Sequence, residues 1–257
     1  MNEITLNYSP LKEESQEIKE GDLLKIDLGA HIDGFFGHAG TSIIAGGVKA
    51  EGEMANLIAC GHTALQAAIR KTVAGNTNDE VTEAIGKVAE SFGVVPLEGA
   101  YSNKHKKHVI DESEVIMNKH LPEKKADKYE FAKGDVFGLD VYVATGDGKC
   151  RLAEMRTTVF KRALENTYLL KTQSARNFLT EVNQRYPSLP FSMRSFEDLT
   201  QAKIGVKHCV DHELLEPFEV HEVRKGERVA SFKATIAITA GGTLVLCGND
   251  HFNADNF

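Results

Sequence analysis

The sequence predicts an α+β domain, and three observations carry that expectation. Residues 21–44 set two strand-forming runs around a turn. Residues 54–92 hold two segments whose apolar side chains recur at three- and four-residue steps, and strand-like runs return at 135–144 and 229–239. With 257 residues and 42% apolar content the chain can bury a large core; its length fits one sizeable domain or a domain with an insertion.

Taken in order, residues 1–19 hold no helix of convincing length, and the chain enters a strand directly. Leu23, Leu24, Ile26 and Leu28 form a short apolar run broken by Lys25 and Asp27. Gly29 and the Asp33-Gly34 pair signal a turn, with residues 35–44 as the return strand. A turn centred on Ile32 and Asp33 sets Asp27 across from His38, whereas a turn at Asp33-Gly34 sets it across from Gly40. Either register leaves Asp27 and His38 on one face. The local pattern alone fits two solvated polar residues on the open side of a half-buried sheet.

From Met54 onward, Leu57, Ile58, Leu65, Ala68 and Ile69 make the stripe of a core-facing helix, which Gly75-Asn76 stops. A second helix begins at a capping box formed by Thr77 and Glu80, buries Val81, Ile85, Val88 and Phe92, and ends at Gly93 with Pro96 beyond. Residues 101–127 read as a polar connection centred on Asn103, Lys104, His105, Lys106, Lys107 and His108. The two histidines admit a metal, the lysines admit a phosphate, and the whole stretch equally fits a solvated loop. Asp140 stands inside the apolar strand 135–144, where a charge is expensive unless it has a partner, and Gly146-Asp147-Gly148 makes the following turn. Helical signals at 174–186 and 196–210 are separated by Pro187 and Pro190; the strand 229–239 then carries Lys233. Residues 247–257 are polar and aromatic without periodicity.

No window approaches the about eighteen uninterrupted apolar residues of a membrane span, and the N-terminus carries an acidic run where a signal sequence would be basic and apolar. A soluble intracellular protein without membrane contact is the default expectation. The four cysteines, Cys60, Cys150, Cys209 and Cys247, are widely spaced and form no CxxC pair, which argues against zinc knuckles and a disulfide framework. The net charge of −7 is uneven. Residues 1–100 carry seven Lys and Arg against fifteen Asp and Glu, while residues 151–209 carry ten against five. That local excess admits an RNA backbone, and a solvated mixed surface fits it as well.

The segments KIDLG (25–29) and HIDG (31–34) resemble the opening of a type II methionine aminopeptidase domain, whose fold is called the pita bread. The chain resembles more closely the proliferation-associated protein family, non-peptidase relatives of those enzymes that bind RNA and ribosomes. The shared motifs are SPLK (9–12), KEGDLLKIDLG (19–29), HVID (108–111), RTT (156–158), PF (190–191), FED (196–198) and HELLEPF (212–218), and the likeness runs from about Asn7 to about Ile238. It implies a curved antiparallel sheet backed by helices. It also implies a first part over residues 1–160, a type II helical insertion over 161–220 and final strands over 221–257. Relatives carry a helical segment before the point equivalent to Asn7, so part of the usual fold is expected to be missing.

In the aminopeptidases two Asp, one His and two Glu hold two metal ions, and the resemblance carries these positions onto Asp27, His38, Asn103, Asp140 and Lys233. Two substrate-contacting histidines match Asn7 and Asp111. Lys233 decides the reading, because an ammonium at a metal position repels each unit of metal charge by about 4 kcal/mol at ~4 Å and an effective dielectric near 20. Lys233 is expected to pair with Asp27, Asp140 or both, leaving no cofactor and no catalytic residue. The function then implied is an inactive aminopeptidase-like regulator of ribosome biogenesis, translation and growth in the cytoplasm and nucleolus. Its partners would be RNA, ribosomal particles and proteins, with RNA drawing on Lys104, Lys106, Lys107, Arg176, Arg185 and Arg194. The alternative is a metal-dependent aminopeptidase with altered ligands from Asp27, His38, Asp140 and either His105 or His108.

Overall fold

The computed structural model describes all residues except 122, 124, 125 and 249–257. Its elements in chain order are β1 (Ile4–Leu6), β2 (Leu23–Ile32), β3 (Phe35–Ile44), α1 (Gly52–Lys71), α2 (Asn78–Ser91), β4 (Val95–Pro96), β5 (Tyr101–His105), β6 (Val115–Met117) and β7 (Val136–Ala144). There follow β8 (Arg151–Leu152), β9 (Val159–Arg162), α3 (Gln173–Arg185), β10 (Phe191–Ser192), α4 (Leu199–Asp211), β11 (Leu215–Phe218), β12 (His221–Glu222), β13 (Val229–Thr239) and β14 (Gly242–Gly248). The chain divides into two compact units: Met1–Glu3, Ile18–Arg151 and the described residues from Val223 onward, and separately Ile4–Glu17 with Leu152–Glu222. The insertion expected over 161–220 lies within the second unit, which also takes in residues 4–17 and 152–160, and β1 pairs there with β12.

The first unit is built on an antiparallel sheet of order β2-β3-β13-β7-β5-β6, with β14 added to β13 and β4 to β7. Side chains alternate across a strand, and here the alternation sorts chemistry cleanly. Ala230, Phe232, Ala234, Ile236 and Ile238 of β13 join Phe137, Leu139, Val141 and Val143 of β7 in one apolar core with Leu57, Ile58 and Leu65 of α1 and Val81 and Ile85 of α2. The alternate positions, Ser231, Lys233 and Thr235 on β13 and Gly138, Asp140 and Tyr142 on β7, fall on the opposite face. Gly61 lets α1 approach the sheet, since a Cβ there would come within 2.7 Å of the Phe232 ring.

Of the two hairpin registers the sequence left open, the structure takes the one that turns at Asp33-Gly34, where φ is +51° and +82°, so Asp27 lies opposite Gly40. Other local expectations need correction. Thr77 is the N-cap of α2 but makes no capping bond. The tie is made by Asn78, which donates to the Val115 and Asp127 carbonyls and accepts from the Tyr129 amide. The polar stretch 101–127 is not all connection, because β5 and β6 lie in it. Of the aperiodic end 247–257, Cys247 and Gly248 close β14 and the rest lies outside the described residues.

In the second unit β9 is flanked by β10 and β11, and α3 packs on α4. Gly205 permits that crossing, as a Cβ would meet the Phe178 ring at 2.3 Å. α4 starts at Leu199 and not at Phe196, because the Asp198 carboxylate accepts from the Gln201 amide at 2.9 Å and caps it there. Phe196 packs instead among Phe178, Tyr186 and Phe191.

Phe232→Ala should lower the unfolding free energy by about 3–5 kcal/mol, the usual cost of emptying a filled aromatic site, which urea titration followed by circular dichroism would measure.

Candidate functional site

Four positions form one row across the polar face of the sheet, because cross-strand partners share a face: Asp27 on β2, Gly40 on β3, Lys233 on β13 and Asp140 on β7. The glycine matters to the row. A Cβ at Gly40 would lie 2.9 Å from Lys233 Cγ, so its absence lets the lysine stem reach across β3. Lys233 Nζ then stands 2.5 Å from Asp27 Oδ2 and 3.2 Å from Asp140 Oδ2, and 5.6 Å from the centre of the Tyr142 ring. The amine is buried, Asp140 is mostly enclosed and Asp27 is half exposed.

Two imidazoles complete the cluster. His38 Nε2 lies 3.0 Å from Asp140 Oδ1, a close contact without the alignment of a hydrogen bond, so both atoms remain buried without a hydrogen-bond partner. The His38 backbone is fixed by Thr235, whose hydroxyl accepts from the His38 amide at 2.8 Å and donates to its carbonyl at 3.0 Å. His105 is buried with its ring centre 5.5 Å from that of His38. Gly138 makes space for both rings, since a Cβ there would meet them at 2.5 and 2.6 Å.

Electrostatics follow from burial and pairing. Burial alone would raise the Asp140 carboxyl, but the Lys233 ammonium and His38 outweigh it and hold the group at about 2. Burial opposes the charge on Lys233 as well, yet Asp140, Tyr142 and Asp27 hold its pKa well above the ordinary lysine value. Burial, with a smaller contribution from His38, lowers His105 to about 4, so it is neutral at physiological pH. Two carboxylates against one ammonium leave a single negative charge, far short of what two divalent cations require.

The metal ions of the resembling enzymes do not fit this donor set. Lys233 Nζ fills the space between the two carboxylates that would have to share them. Among the described residues no group of three or more His, Cys, Asp or Glu side chains is placed to hold a metal ion. The cluster brings together Asp27, Lys233, Asp140, His38 and His105, all of them named from the sequence, and adds Tyr142, Gly40, Gly138 and Thr235. Tyr142 was legible in principle, being two strand positions from Asp140. His105 was named only as one of two alternative ligands, because its segment reads as loop.

The other candidates are dispersed. Asn103 is half-buried on β5, opposite Gly138. Asp111 is exposed between β5 and β6, and Asn7 belongs to the second unit, where its amide donates to the Glu219 carbonyl. Lys104 is largely buried and paired with both Glu114 and Asp135, so its charge is already met. Lys106 pairs with Glu112 at 2.8 Å and Lys107 with Asp33 at 2.8 Å, both at the surface. In the second unit Arg176 donates to the Leu170 and Lys171 carbonyls, Arg185 pairs with Glu181 over the Tyr186 ring, and Arg194 is exposed. His108 lies away from the cluster, its ring against Gly34 in the hairpin turn.

Residues 2–170 match Metallopeptidase family M24. The chain belongs to that family. Within it, this chain is 36% identical over 253 residues to Proliferation-associated protein A of Dictyostelium discoideum, covering 97% of this chain and 66% of that protein. It is 35% identical over 255 residues to the Curved DNA-binding protein of Schizosaccharomyces pombe, covering 97% and 67%. The solved structure of a thermophilic Arx1 superposes with a TM-score of 0.90 at 27% identity, covering all of this chain and 76% of that one. This M24 chain thus has the pita-bread fold and falls with the proliferation-associated group. It spans just under two thirds of the length of the first of these relatives.

Lys233→Met should cost about 3–5 kcal/mol, because it strands a buried carboxylate, whereas Asp27→Asn at the half-exposed end should cost far less; denaturant midpoints would compare them. Asp140 is held below its ordinary 3.8, so its stabilisation is complete above that pH and lost as the pH falls toward about 2. Removing Lys233 should shrink the loss between those two values, as acid titrations of both proteins would show.

Proposed function

We propose that the chain is a catalytically inactive, aminopeptidase-like protein that associates with RNA, ribosomal particles and proteins and regulates ribosome biogenesis, translation and growth, in the cytoplasm and nucleolus. One observation carries the inactive half of this reading: the ammonium of Lys233 stands between Asp27 and Asp140, where catalysis in this family would need cations. An ion pair locked into the row leaves neither a Lewis acid nor a bound water to be activated.

The binding half is supported by relatives rather than by the row. Proteins named for proliferation association and for binding curved DNA match nearly the whole chain, and residues 151–209 carry twice as many basic as acidic side chains. RNA contact would be electrostatic, made by exposed arginines such as Arg194 and by surface lysines that can exchange a carboxylate for a phosphate, Lys106 and Lys107 among them. Breaking a solvent-exposed ion pair costs at most about 1 kcal/mol, so those lysines remain available. Lys104 does not, being enclosed by two carboxylates.

Met-initiated peptides should stay uncut by the purified chain with added cobalt or manganese, and turnover accompanied by stoichiometric bound metal would refute the inactive reading. Binding to ribosomal RNA fragments, followed by fluorescence anisotropy, should weaken steeply with salt. Arg194→Glu should reduce affinity several-fold and lower the salt slope by about one phosphate contact or more.

A further inference from the structure

The turn that closes the β2–β3 hairpin is an aspartate followed by a glycine. Such a step can close a five-membered imide, because the glycine amide nitrogen reaches the aspartyl Cγ and no side chain obstructs it. The chain has two Asp-Gly steps, Asp33-Gly34 and Asp147-Gly148. They differ in the groups that control this chemistry.

At the first step both residues take positive φ, +51° and +82°. The left-handed region is unfavourable for a residue with a Cβ, so the backbone holds Asp33 weakly. Glycine is required beside it, since a Cβ on Gly34 would come within 2.4 Å of the His108 ring. From His38 toward the turn, β2 and β3 pair with no third strand among the described residues, so opening the turn breaks only its own end of the ladder. The tie from the neighbouring loop, the His108 amide to the Gly34 carbonyl at 2.8 Å, leaves the Gly34 nitrogen free of it.

That nitrogen, the nucleophile of the cyclisation, donates to Nδ1 of His31 at 3.4 Å. An imidazole nitrogen that accepts there is a base aimed at the proton that must leave, and being three residues away it stays near when the turn opens. The Lys107 ammonium lies 2.8 Å from Asp33 Oδ2 and is a proton donor at the oxygen that must depart. Asp147 is held differently. Its Oδ1 accepts from the Lys149 amide at 2.9 Å and its Oδ2 from the Arg151 guanidinium at 2.9 Å, and the two keep its carboxyl below the usual range. Cyclisation passes through the neutral acid, so those bonds oppose it.

We propose that Asp33-Gly34 is a site of isoaspartate formation promoted by the protein itself, with His31 as base and Lys107 as acid. As the opened turn rotates about Asp33, the Gly34 nitrogen attacks Cγ and its proton passes to His31 Nδ1. The Cγ–Oδ2 bond then breaks, and Oδ2 leaves as water with that proton and one from Lys107, which solvent replaces. Water opens the imide at the Asp33 main-chain carbonyl, leaving the backbone routed through Cβ with a free α-carboxylate, or at Cγ, restoring aspartate. The isoaspartyl form lengthens a two-residue turn by one backbone atom, so the Ile32–Phe35 row and the Lys107 pair cannot close as before. Its α-carboxylate is the acceptor for a carboxyl methyltransferase that uses S-adenosylmethionine. The proposal rests neither on the RNA reading nor on the Lys233 row.

The purified 257-residue chain, kept for several weeks at neutral pH and physiological temperature, should accumulate isoaspartate at residue 33 at least about tenfold faster than at residue 147, a modest effect for a positioned base. Tandem mass spectrometry of proteolytic peptides would locate the change, and methyl transfer by a purified isoaspartyl methyltransferase would count it. His31→Phe, which keeps a ring without an acceptor, should slow residue 33 about tenfold and leave residue 147 unchanged. Asp33→Glu, whose side chain cannot close the five-membered ring, should abolish methyl acceptance at the turn. In denaturing guanidinium, where His31 is no longer held beside Gly34, the two steps should proceed at comparable rates. Absence of isoaspartate at residue 33, equal rates at both steps in the folded chain, a preference for residue 33 that survives denaturation, or a rate that His31→Phe leaves unchanged or raises would each overturn the proposal.

Discussion

The ammonium of Lys233 between the carboxylates of Asp27 and Asp140 is the interaction on which the character of this protein depends. It fills what would be a cation-binding pair of acids with the protein's own ammonium and leaves the three groups with a single negative charge. The strands do not need it for their pairing, since β13 and β7 form a continuous ladder from Val229 to Ala237. What needs it is the burial of Asp140, a charge in a strand whose other face is wholly apolar. A buried ion pair adds little net stability over an apolar replacement, but losing one partner is costly. That asymmetry ties Lys233 and Asp140 to each other.

The scaffold shows the same logic of exchange. β3 and β13 share a single directly paired position, Lys233 with Gly40. Side chains close the seam on either side of it. Ser42 donates to the Ser231 carbonyl and accepts from its amide, and Thr235 does the same with the His38 backbone. Where the backbone ladder is interrupted, hydroxyls satisfy its donors and acceptors, and the gap is what admits a lysine stem beside a glycine. The polar face is therefore cohesive without a metal, and the function proposed for it is the loss of one chemistry. The binding proposed for the chain lies on its outer surfaces.

Much of this was legible in the sequence because it depends on period and chemistry alone. The two-residue alternation of β7 and β13 already put Asp140 and Lys233 on the side away from the core, and the three- and four-residue stripes placed α1 and α2. Family motifs then brought Asp27, Asp140 and Lys233 to one site before any distance was known. The basic candidates were less legible: a lysine reads the same whether it faces solvent or, like Lys104, is closed in by two acids brought from residues 114 and 135.

What the amino-acid order determined was the composition of each face, since alternation is local and follows from backbone geometry. What only the tertiary structure decided was which groups meet. The hairpin register turned on whether Asp33 and Gly34 both take positive φ, the start of α2 was tied down by Asn78 and not by the Thr77 hydroxyl, and His105 entered the cluster because β5 pairs with β7. The last two are settled by contacts between residues distant in the chain, whose free energies outweigh the small local preferences that a linear reading can weigh.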